Sequence, residues 1–126
     1  MDFITKFLRS FLYAFNGCLL VLKERSFKIH LFVALIVIVS AFIFNLSLIE
    51  LIIIILLIFM VFSIETMNTS IEKLSDIIRD ECHLSYQATK APRDLAAASV
   101  FMVVISAVII GLLILLPKII QILFRQ

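Results

Sequence analysis

Charge, sulfur and turn-forming residues are all scarce in this chain. Its 126 residues include two cysteines, two glycines, two prolines and no tryptophan, and only 16% are charged. No Gly-rich phosphate loop, no Gly-x-Ser-x-Gly and no Cys/His metal spacing occurs, which excludes an ordinary nucleotide triphosphatase and a zinc hydrolase. Cys18 and Cys82 do not form a Cys-x-x-Cys pair and read as plain packing or surface thiols. A formal charge of +2 gives nucleic-acid binding no support.

Apolar residues are abundant instead. They make up 63% of the chain and the mean hydropathy is +1.21, whereas a soluble domain carries about 45–50%. They are grouped in runs long enough to cross a hydrocarbon core of about 30 Å. The expected fold is therefore all-α, a single integral membrane domain over 1–126 with an N-terminal amphipathic surface helix and three transmembrane helices.

The surface helix is expected over 1–24. Phenylalanines at 3, 7, 11 and 15 recur every fourth position, while Lys6, Arg9, Tyr13, Asn16 and Glu24 gather on the other side, a pattern suited to the headgroup boundary. A signal peptide fits less well: Asn16 and Gly17 interrupt the apolar run, and Lys23-Glu24-Arg25 follows in place of a small-residue cleavage site. The spans are expected at 29–46, 48–64 and 95–116. A turn is placed at Asn45 to Glu50, and the second helix is expected to continue to about 87, because nothing between 65 and 87 is Gly or Pro. Pro92 suits the first turn of a new helix, Ala96, Ala97, Ala98 and Ser99 suit close helix contact in lipid, and Pro117 with Lys118 is expected to end the third span. Nine of the eleven basic residues lie before span one or between spans two and three, Lys118 and Arg125 being the exceptions. The N-terminus and the 65–94 segment are thus expected in the cytoplasm and the C-terminus outside.

The chemistry concentrates where span two ends. At about 100° per residue, Glu65, Asn68, Glu72 and Asp76 fall within an arc of roughly 80°, and an ionisable group at membrane depth is costly enough to mark function. Oxygen ligands suit magnesium, which commonly takes one or two carboxylates together with substrate phosphates; Glu72 fits, and Glu24 is on the same side of the bilayer. Glu65, about 10 Å nearer the hydrocarbon than Glu72 at 1.5 Å per residue, is placed to reach a lipid hydroxyl as a base. Asp80 and Glu81 alone read as solvated boundary residues, His83 alone as a surface histidine, His30 as interfacial and Glu50 as an outside turn residue.

Glu65-Thr66-Met67-Asn68-Thr69-Ser70-Ile71-Glu72, followed by Asp76, resembles the signature of the prokaryotic diacylglycerol kinase family, small membrane lipid kinases that include undecaprenol kinases of Gram-positive bacteria. Glu24-Arg25-Ser26-Phe27-Lys28-Ile29-His30 is similar to that family's segment before span one. Arg93-Asp94-Leu95-Ala96-Ala97-Ala98-Ser99-Val100 is similar to its motif opening span three, with Arg93 where the family has lysine. The resemblance implies a homotrimer in the bacterial cell membrane that transfers the ATP γ-phosphate to a lipid alcohol with Mg2+. By motif, Glu65 would be the catalytic base and Asn68 a positioning residue. Glu24 and Glu72 would bind the metal, and Tyr13, Glu24, Glu72, Glu81, His83, Arg93 and Asp94 would face the nucleotide. Two rivals remain at this point: a non-catalytic relative acting as an oligomeric membrane protein, and a small transporter, which the lack of a second ionisable residue within a span disfavours.

Overall fold

A computed structural model describes residues 3–124 of the chain. Four α-helices follow one another among them: α1 (Phe3–Val21), α2 (Arg25–Ile43), α3 (Leu48–Glu81) and α4 (Lys90–Leu123), with a 3-10 turn at Tyr86–Thr89 before α4. Of these α2, α3 and the stretch Tyr86–Leu123 are long and apolar enough to cross a membrane. α3 is the central element, since both α2 and α4 pack on it, whereas α1 packs closely on none of them.

The helix ends are set by local hydrogen bonding. α1 stops at Val21, short of the expected 24, and Glu24 adopts an extended backbone (φ −73°, ψ 138°) as the N-cap of α2. α2 closes with Asn45 in the left-handed region at φ 48°. Asn45 N–H donates to the Phe42 carbonyl and Leu46 N–H to the Ala41 carbonyl, the paired bonds that satisfy a helix's last carbonyls. α3 opens on a capping box: Glu50 N–H donates to Ser47 Oγ, and Ser47 N–H donates to Glu50 Oε2 at 2.7 Å. Glu50 is therefore in the first turn of the helix, and the turn is confined to the residues before Leu48.

Two further helix ends differ from the sequence expectation. α3 stops at Glu81 rather than near 87, because His83 takes φ 52° and Leu84 N–H reaches back to the Arg79 carbonyl. A histidine thus supplies the left-handed residue more often provided by glycine. α4 runs through Pro117 to Leu123, since proline's fixed φ is itself helical and only one N–H is missing. Lys118 Nζ lies 3.4 Å from Glu50 Oε2, so this exception to the charge pattern is paired at the far end of the bundle. Arg125 lies outside the described residues.

Packing is reversed relative to a soluble protein. Phe32, Phe42, Phe59 and Leu113 are exposed, as lipid-facing side chains would be. Small residues meet α3 from α2, where Ala34 and Ala41 are buried, and from α4, where Ala96 is buried. Ile54 is enclosed, and the Phe27 and Phe62 rings lie 5.0 Å apart between α2 and α3. The buried residues toward the other end of α3 are polar: Glu65, Asn68, Thr69 and Ser75.

Candidate active site

At 34 residues and 1.5 Å per residue, α3 is about 51 Å long, some 20 Å more than a hydrocarbon core needs. The polar residues start where that excess starts. Glu65 is 2% exposed and Asn68 8%, so α2 and α4 shield a carboxylate and an amide on one face of α3. Asn68 Nδ2 donates to Glu72 Oε1 at 3.1 Å, which ties the stripe together at i, i+4 spacing. Glu65 Oε1 and Asn68 Oδ1 are buried acceptors with no hydrogen-bond partner. A buried acceptor left unpaired costs about 1–3 kcal/mol, so this face wants a hydroxyl donor or a cation.

Glu65 Oε2 lies 3.7 Å from Nε2 of His30, on the second turn of α2. His30 is also the polar residue at the head of an apolar groove of about 260 Å³ between α2, α3 and α4, lined farther along by Ala34, Ile54, Val61, Val104 and Gly111. An apolar chain in that groove would carry its head toward the buried carboxylate.

A second group of charges lies beyond the spans. Glu24, at the start of α2, pairs with Lys73 of α3 through Oε1 and Nζ at 2.7 Å. That bond, with Asp76 and Glu72 nearby, holds the Lys73 ammonium above the usual lysine range. Arg93, near the start of α4, donates from Nη2 to Asp76 Oδ1 at 2.7 Å, and its guanidinium lies 5.3 Å from the centre of the Tyr86 ring. Arg79 also reaches Asp76 at 2.9 Å. The Arg93 bond, ahead of the Arg79 charge, holds Asp76 below the usual carboxylate range. Lys90 pairs with Asp94 one turn along α4, which raises the lysine.

Of the residues singled out in the sequence, Glu65, Asn68 and Glu72 share one face of α3, and Glu24 approaches it through Lys73. Arg93 meets α3 at Asp76, while Asp94 is turned to Lys90. Glu81 is exposed at the end of α3, about 24 Å along the helix axis from Glu65, and His83 is exposed in the turn just past it. Tyr13 is exposed on α1. Sequence reasoning missed three contacts: His30 with Glu65, Lys73 with Glu24, and Tyr86 beneath Arg93. Each joins residues from different elements; for Arg93 and Asp76 alone, facing charges on neighbouring motifs offered a signal. No group of three or more His, Cys, Asp or Glu side chains converges on a metal position among the described residues. Glu24, held by Lys73, and Glu72, held by Asn68, are nevertheless oxygen donors of the kind a hard cation takes when phosphate completes its shell.

Three membrane-length helices, with a carboxylate and an amide buried toward one end of the central one, define an all-α membrane protein. The prokaryotic diacylglycerol kinase family model matches residues 12–115, and the chain belongs to that family of lipid kinases. It is 40% identical over 116 residues to an undecaprenol kinase of Bacillus subtilis, covering 91% of this chain and 92% of that protein. It is 31% identical over 113 residues to a diacylglycerol kinase of Synechocystis sp., covering 89% of this chain and 63% of that protein. No solved structure gives a significant match.

Proposed function

We propose that the chain transfers the γ-phosphate of ATP to a membrane lipid alcohol at the cytoplasmic face, with undecaprenol ahead of diacylglycerol as acceptor. The observation that carries this reading is the buried Glu65 carboxylate, with one oxygen unpaired and the other beside His30 at the head of an apolar groove. Near-complete coverage of both chains in the match to an undecaprenol kinase supports the order of acceptors. Family resemblance supports a homotrimer, and the distribution of basic residues supports the cytoplasmic orientation.

In this reading Glu65 takes the proton of the lipid hydroxyl. The freed oxygen forms a bond to the γ-phosphorus as the bond to the ADP oxygen breaks. Asn68 holds Glu72 in register through its amide. Glu24 and Glu72 would hold Mg2+, which neutralises the phosphates when bound. Such a transfer needs position and charge compensation more than covalent chemistry, so a phosphate loop is dispensable.

The test is radiolabel transfer from γ-labelled ATP to each lipid in mixed micelles, with and without chelator, beside Glu65→Gln. Loss of a general base costs about 10²–10⁴-fold, so we expect the variant to fall by at least about 100-fold. Transfer that survives Glu65→Gln within a factor of about ten, or a folded protein that labels neither lipid, would overturn the reading.

A further inference from the structure

One basic side chain lies within 4 Å of the Glu65 carboxylate among the described residues, and it is His30. The carboxylate side chain is 3% exposed and the imidazole 23%. α4 brings only apolar side chains to the groove that His30 heads, Val104 and Ala107 among them. No lysine or arginine pairs with Glu65 among the described residues to hold it in one orientation. A buried carboxylate free to rotate would present either oxygen, or neither, to an entering hydroxyl.

We infer that His30 is a positioning residue for Glu65: its Nε2 engages Oε2 and leaves Oε1, buried and unpaired, to accept from a lipid hydroxyl. This rests on the proposed role of Glu65 as base. The 3.7 Å separation is wider than a hydrogen bond, and closing it takes a side-chain shift of under about 1 Å. Orientation of this kind acts on the chemical step rather than on nucleotide binding, because a misplaced base lowers kcat while leaving the phosphate contacts alone.

The experiment compares His30→Phe, which keeps a planar apolar-compatible bulk but has no nitrogen, with His30→Gln, which keeps a side-chain N–H at similar reach. Both are assayed in the full-length protein with Glu65→Gln alongside, using undecaprenol and diacylglycerol as acceptors. We expect His30→Phe to lower kcat at least about tenfold with KM for ATP unchanged, and His30→Gln to restore it to within about threefold of the parent. Equal rates for His30→Phe and the parent, or equal losses in the two His30 variants, would overturn the role. If Glu65→Gln itself keeps full activity, the failure lies with the base assignment. Thermal melting establishes folding, and His30→Leu stands in for His30→Phe if the latter does not fold.

Discussion

Asp76 shows how a single residue on the acidic stripe serves structure. Its carboxylate is bonded by Arg93 across to α4 and by Arg79 along α3, and the Arg93 bond is the main reason it titrates below its ordinary value. A depressed carboxylate contributes stability above its unfolded value of about 4, and loses it as pH falls through the folded value. Melting in detergent between pH 6 and pH 3 should therefore show a decline that Asp76→Asn flattens. The variant should melt lower at pH 6 and converge with the parent in acid. Arg93 is committed to this contact and to the Tyr86 ring; opposite charges on neighbouring motifs hinted at the first, 17 positions apart, whereas nothing in the sequence disclosed the second.

At the scale of the element, ends matter more than middles. Apolar runs made the three membrane helices legible, because length and hydropathy suffice to recognise a span. The stripe Glu65, Asn68, Glu72 was legible as well, because helical spacing puts these residues on one face. The end of α3 was not, since a left-handed His83 carries no composition signal. The continuation of α4 past Pro117 was hidden for the converse reason, a residue that usually ends helices being tolerated within one. Ser47 starts α3 through its capping box, so Ser47→Ala should cost about 1 kcal/mol and lower the melting temperature without changing the helical content of the folded protein. The lost cap also frees Glu50, whose other partner is Lys118.

The whole molecule makes a prediction about sidedness through its two cysteines. Cys18 and Cys82 are both exposed, one on α1 and the other just past α3. In the orientation proposed from the basic residues both segments lie on the cytoplasmic side. A membrane-impermeant thiol reagent should label both in inverted vesicles and neither in intact cells; labelling of Cys82 from outside would reverse the orientation. α1 itself packs closely on no other helix, and its Phe7 and Phe11 rings meet only 5.0 Å apart on an exposed face. Phe7→Ser with Phe11→Ser should loosen α1 from the headgroup region, read by depth-dependent fluorescence quenching, while the melting of the remaining helices is unchanged.

The depth of Glu65 has an energetic meaning. It lies 17 residues beyond the start of α3 at Leu48, about 26 Å along the axis and so close to one hydrocarbon thickness. Pulling an acyl or prenyl chain into water costs about 0.8 kcal/mol per methylene, or more than about 10 kcal/mol for even a medium-length chain. In the proposed reaction, with the carboxylate at that height, a chain can stay in oil throughout a turnover while only its terminal oxygen crosses into the polar layer. On that proposal the soluble nucleotide does the travelling, and the added phosphate is left among the headgroups.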